Sequence, residues 1–274
     1  MERVGPLKMK LQGIFLPVAI PFDHSGDLYS VKIQHNVEKW NRTTLAGYIV
    51  CGPENVYLTA AEKNRMWEWV AEYSAPEKLL IVAAGAPGVR ETVEAAHIAE
   101  NLGYKAAVVK VPNEPRETQI VYFRAVADQS RLPVIIHGEL DPDSVQSLAQ
   151  HPNIIAICCS NPVENFQTLA SSELTLSESF SAGATGAVLN FANAAPHATI
   201  SIWEAHRTRE TDAARDWQSR IAPVVTLIAQ LGPAALKHAM DVNGYYGGPP
   251  RLPLTGLTAD QRKSVEQALD GIKG

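Results

Sequence analysis

Eight short runs rich in β-branched residues recur along the first two thirds of the chain, near residues 13–20, 47–51, 79–84, 106–111, 134–137, 154–158, 174–177 and 187–191. Between them lie amphipathic stretches with the helical period. Strands that alternate with helices build a parallel sheet, because parallel neighbours need a crossover to bring the chain back to the same end. Eight such strands close on themselves. The expected fold is therefore α/β, a (β/α)8 TIM barrel over residues 1–195, followed over residues 196–274 by the final barrel helix and a helical extension. Start signals support the helices: Thr59-Ala60-Ala61-Glu62 is a capping box ahead of Met66, Trp67 and Val70, and Pro142 precedes Val145, Leu148 and Ala149. Helices are expected over 198–207, 212–231, 233–243 and 259–272.

At 274 residues, with 46% hydrophobic and 19% charged residues, the chain can bury one large core. A net charge of -5 leaves no electrostatic footprint for nucleic acid or an anionic membrane. No uninterrupted apolar run reaches the roughly 18 residues of a membrane span, and Met1-Glu2-Arg3-Val4-Gly5-Pro6 lacks the apolar centre of a signal peptide. Three cysteines, two of them adjacent, make no disulfide framework. A cytoplasmic location follows as an expectation. With no dinucleotide, P-loop or flavin fingerprint, no cofactor is expected, and a small molecule is the expected partner.

Framework motifs run from end to end: Pro17-Val18-Ala19-Ile20-Pro21-Phe22-Asp23 with Gly26, Val50-Cys51-Gly52, Arg90-Glu91-Thr92, Leu132-Pro133-Val134-Ile135, His151-Pro152-Asn153-Ile154 and Arg251-Leu252-Pro253-Leu254. Together they resemble the dihydrodipicolinate synthase and N-acetylneuraminate lyase family. Members form a Schiff base with pyruvate through a lysine on strand six. Cys158 falls on that lysine, and a thiol cannot become an iminium. Family barrels assemble as dimers and dimers of dimers, so the resemblance implies a homo-dimer or homo-tetramer.

The departures gather on loops that follow strands, the face where barrel active sites are built. The Gly-Thr-Thr-Gly-Glu element that grips the pyruvate carboxylate becomes Gly52-Pro53-Glu54. The Pro-Tyr-Tyr relay becomes Pro112-Asn113-Glu114. His137-Gly138-Glu139-Leu140 replaces a longer segment that carries the catalytic tyrosine and a substrate-binding arginine, and Ser177 to Gly183 stand for a Ser-Gly-Asp loop.

Lys110 ends the apolar run Ala106-Ala107-Val108-Val109 and should point into the upper lumen. It reads as a structural cation paired with Glu54, Glu114 or Glu139 or reaching solvent, as a ligand-contacting cation, or as a relocated Schiff-base nucleophile of the kind transaldolases carry on strand four. His137 and Cys158 should lie side by side, and imidazole could draw the proton from the thiol; a plain packing role is the competing reading. Lys110, His137 and Cys158 are thus the candidate catalytic residues, with Glu54, Glu139, Glu178 and Asn193 as candidate ligand-binding residues. No metal is expected, because Cys158 and Cys159, as strand neighbours, point to opposite faces. Two readings of function follow. One is a divergent family member without standard pyruvate aldolase activity that binds a small carboxylate or sugar-acid metabolite; the other is an active carbon-carbon lyase of altered mechanism using Lys110 or a Cys158-His137 pair.

Overall fold

A computed structural model describes residues 9–272. The expectation about Met1 to Pro6 therefore lies outside the described residues. Eight parallel strands close into one barrel in sequence order: β1 Gly13–Pro17, β2 Gly47–Val50, β3 Leu79–Ala83, β4 Ala106–Lys110, β5 Val134–His137, β6 Ile154–Cys159, β7 Thr168–Ala170 and β8 Gly186–Val188. Around them pack α1 Ser30–Asn41, α2 Ala60–Tyr73, α3 Val89–Asn101, α4 Arg116–Gln129, α5 Pro142–Ala149, α6 Leu176–Ser181 and α7 Pro196–Arg207. The extension consists of α8 Thr211–Leu231, α9 Pro233–Val242 and α10 Ala259–Ala268. The fold is a TIM barrel with C-terminal helices.

Side-chain alternation divides the core into two layers. Phe15, Ile49, Ile81, Val108, Ile135 and Ala156 fill the lumen, whereas Leu16, Val50, Val82, Val109, Ile136 and Ile157 face the helices. On β6 the phase is set by a register shift: Val134 pairs with Ile154 and Ile135 with Ala156, so Ile155 is the extra residue. That shift leaves Cys158 facing the lumen and Cys159 the helix layer. The barrel closes where β8 meets β1, and there Gly186 is required: a Cβ on it would lie 2.6 Å from the Gly13 carbonyl oxygen.

Strand seven lies earlier than its expected place at 174–177. The segment Leu174-Thr175-Leu176-Ser177 alternates like a strand, but Leu176 and Phe180 are buried one turn apart on α6. True β7 has only three residues, paired with β6 through Ile157–Thr168 and with β8 through Leu169–Gly186. Residues 160–167 form no helix, so β6 passes to β7 by a short irregular crossover. An expectation of a helix after every strand pushes strand seven too far along the chain. Strand eight likewise stops at Val188, because residues 190–193 coil into a 3-10 turn.

Asn193 explains why that turn is where it is. Its buried side chain donates to Pro17 O at 2.8 Å and to Asn190 O at 2.9 Å, and its Oδ1 accepts from the Ala19 N–H at 2.9 Å. Its backbone carbonyl accepts from Trp40 Nε1. With every side-chain group occupied, Asn193 braces the top of β1 against the turn after β8. Asn193→Ala should destabilise by about 2 kcal/mol, since it leaves a buried N–H and a buried carbonyl without partners. Urea unfolding of the variant measures this.

Candidate functional site

Lys110, His137 and Cys158 occupy one register row at the C-terminal end of the barrel. Lys110 pairs with His137 across β4 and β5, and His137 with Cys158 across β5 and β6. All three line a cavity of about 370 Å³ whose wall also includes Asn55, Ser171 and Asn190, with apolar surface from Ile49, Val56, Val108 and Val188. Gly52 and Gly85 line it on the strand-two and strand-three side. Among the described residues, Lys110 is the cavity's one cation, and no carboxylate is in its wall.

The ionisable groups divide sharply. Burial first, and the nearby Lys110 charge second, hold the His137 imidazole below its ordinary range, so the ring is neutral at pH 7. Burial, reinforced by Cys159 and Glu139, drives the Cys158 thiol far above its ordinary range. It remains a thiol, and no hydrogen bond joins it to His137. The thiolate pair considered from sequence therefore lacks both the charge state and the contact it needs.

Glu54 does not neutralise Lys110. It sits in the 3-10 turn Pro53–Tyr57 after β2, 7% exposed, with Oε2 accepting from Ile20 N at 3.2 Å and Oε1 lying 3.5 Å from Lys237 Nζ. Cys51 takes a φ of 62° immediately after the strand, ahead of that turn. Glu139 is exposed and accepts from Ser160 N at 2.8 Å, tying the loop after β5 to the end of β6. Glu178 is exposed on α6 and lies outside the cavity wall, and Asn193 is the brace described above. Lys110 itself is exposed at the mouth, where the sequence suggested a desolvated amine. It lies within ion-pair distance of no carboxylate among the described residues.

Several residues of the site carry no signal from sequence alone. Asn55, Ser171 and Asn190 reach the cavity because the turns after β2, β7 and β8 aim them there. Lys237 and Glu173 were also missed. Lys237 is 1% exposed and donates to the carbonyls of Ile20 and Gly247. A lysine between Leu236 and Met240 on the apolar face of a helix is the signal that could have found it. Glu173 follows β7 in what alternation reads as strand, and the carboxyl of its half-buried side chain accepts from Phe191 N at 2.6 Å. Burial pushes that carboxyl up to about 7, against the opposing pull of the Phe191 and Asn190 N–H groups.

The described helices include none long and apolar enough to cross a membrane. Residues 10–272 match the dihydrodipicolinate synthetase family. The 4-hydroxy-tetrahydrodipicolinate synthase of Methanothrix thermoacetophila is 28% identical over 94% of this chain and 96% of its own. Among solved structures, a putative dihydrodipicolinate synthetase from Pseudomonas aeruginosa superposes with a TM-score of 0.90 at 19% identity, covering 96% of this chain and 100% of that one. The N-acetylneuraminate lyase of Proteus mirabilis does so at 0.85 and 21% identity, covering 96% and 99%. Match and barrel together show that the chain belongs to the dihydrodipicolinate synthetase family.

Proposed function

We propose that this family member does not form an imine on strand six and instead holds a small carboxylate or sugar-acid metabolite in the mouth of its barrel. The observation that carries the reading is Cys158, a buried thiol on the lumen face of β6, in a cavity whose only charged wall group among the described residues is Lys110. In class I aldolase chemistry an iminium makes the pyruvate methyl acidic, and a thiol offers no such electron sink. A neutral His137 and a lone ammonium suit an anion, which gains a charge-assisted hydrogen bond without displacing a resident carboxylate. A homo-oligomer in the cytoplasm, with no metal or organic cofactor, completes the proposal.

Two assays test it. Dihydrodipicolinate synthase and sialic acid lyase activities should stay at the level of a heat-killed control; turnover that survives Lys110→Ala would overturn the reading. Cys158→Lys alone should not restore activity, because the carboxylate-gripping hydroxyls and the tyrosine are missing as well. In calorimetry, Lys110→Met should weaken binding of small carboxylates about tenfold, the scale of one charge-assisted hydrogen bond. Unchanged affinity would remove Lys110 from the site.

A second reading rests on one specific observation. Among the described residues the Lys110 amine has no ion pair, and it opens onto the same cavity as His137, which is the arrangement a relocated Schiff-base lysine needs. Borohydride trapping with a panel of aldehydes and ketones, abolished by Lys110→Met, would support a lyase of altered mechanism.

A further inference from the structure

The strand-two wall of the barrel mouth hangs on few contacts. Gly52, Asn55 and Val56 line the cavity there, on and beside the 3-10 turn Pro53–Tyr57. A turn this short has poor internal hydrogen bonding, so its place depends on what holds it from outside. Its start is held by Glu54, through the Ile20 N–H and the Lys237 ammonium, and the buried Leu58 follows its end. Between these anchors Val56 stands 74% exposed. Among the described residues, 55–57 make one hydrogen bond to a distant segment of the chain: the Tyr57 carbonyl accepts from Arg251 Nη1 at 2.9 Å.

Arg251 comes from the loop between α9 and α10, and four of its five N–H groups are engaged. Nε donates to Gly26 O at 2.8 Å, in the loop after β1. Nη1 and Nη2 donate at 3.0 and 2.5 Å to the two carboxylate oxygens of Glu62, the residue that completes the α2 capping box by accepting from Thr59 N at 2.9 Å. The guanidinium carbon lies 4.6 Å from the Phe22 ring centre. One half-buried planar group therefore ties the loop after β1, the turn after β2 and the start of α2 to the helical extension. A lysine ammonium is a point charge without that fork and cannot serve the same set of acceptors.

We propose that Arg251 is a positioning residue of the barrel mouth: its planar fork fixes Tyr57, and through it Asn55 and Val56, so that the helical extension sets how wide the mouth stands open. This rests on the reading of the mouth as an anion site and adds to it the device that fixes one wall. Arg251 lies outside the cavity wall and acts only through the turn, which delivers the Asn55 amide to the cavity. A role confined to stability would leave that wall in place for as long as the protein stays folded.

Strands two and six face each other across a barrel of eight strands closed in sequence order. Nitroxide labels on Val56→Cys and Ser160→Cys therefore span the mouth; both positions are exposed, and the native Cys51, Cys158 and Cys159 are buried. Electron–electron double resonance should give one narrow distance in this doubly labelled parent. Adding Arg251→Gln should displace or broaden it by at least about 2 Å, the rise of one residue in a 3-10 turn, while circular dichroism stays that of the parent. Arg251→Lys should not restore it. Glu62→Gln, which removes the anionic partner and keeps an acceptor for Thr59 N, should give a smaller change in the same direction, and it decides the matter where Arg251→Gln does not fold. In calorimetry with gluconate and pyruvate as probes, Arg251→Gln should weaken gluconate binding about tenfold, the scale of one lost contact at Asn55. An unchanged distance in the folded variant, full restoration by lysine, or gluconate affinity equal to the parent's overturns the inference. If neither probe binds the parent, the anion reading falls, and the label distances still decide the placement of the turn.

Discussion

Lys237→Ala is expected to destabilise the protein by about 3–5 kcal/mol, with a fall in melting temperature of about 10 °C. The lysine is almost wholly buried, donates to two backbone carbonyls, lies 5.1 Å from the Phe22 ring centre and, among the described residues, is the only cation beside Glu54. Removing it strands a buried carboxylate and leaves the carbonyls of Ile20 and Gly247 without their donor. Lys237→Met retains the aliphatic stem and should remain strongly destabilised, which separates lost charge from lost packing. Adding Glu54→Gln to Lys237→Met should recover part of the loss, because an amide costs less to bury than a lone carboxylate. A melting temperature within 2 °C of the parent for Lys237→Ala, an interval of about 1 kcal/mol or less, would refute the buried-pair account. The pair matters to the site because Glu54 belongs to the turn whose neighbours Gly52, Asn55 and Val56 form one lip of the mouth.

Glu173→Gln should have the opposite sign and depend on pH. The folded carboxyl is raised to about 7 from its ordinary 4.5, so the folded state takes up a proton more readily than the unfolded chain. The resulting penalty is absent below the unfolded value, grows as pH rises between the two, and is complete above the folded one. Glutamine removes it, so the variant should be more stable than the parent by about 2–3 kcal/mol at pH 8, and the gap should close as pH falls toward 5. Urea denaturation at both values measures this. A gap of equal size at the two pH values would mean that the effect is steric.

Most of the barrel is legible in the sequence because its strands, between Gly and Pro breaks, keep period two in the lumen and period 3.6 outside. Thr59 and Glu62 form the expected capping box, and the helices of the extension begin and end within a few residues of their signals. Strand seven is not legible: three residues cannot show a period, and the missing helix before it removes the usual spacing. At the site, strand-borne residues were readable because register follows from alternation, which is how Lys110, His137 and Cys158 come to share a row. Turn-borne residues were not. Glu54 follows a left-handed Cys51 and swings to Lys237, while Asn193 spends its amide on the backbone and leaves Asn190 to face the cavity. Such directions depend on backbone torsions at single residues, which no periodicity encodes.

The central claim is that the chain forms no Schiff base with pyruvate, because strand six carries the Cys158 thiol in place of an amine. Purified protein is mixed with pyruvate, reduced with borohydride and weighed intact, beside a pyruvate-free control. The account predicts that the protein keeps its own mass. A gain equal to one reduced pyruvate, mapped by peptide analysis to a lysine and lost in the corresponding lysine variant, would contradict it and return the chain to Schiff-base chemistry.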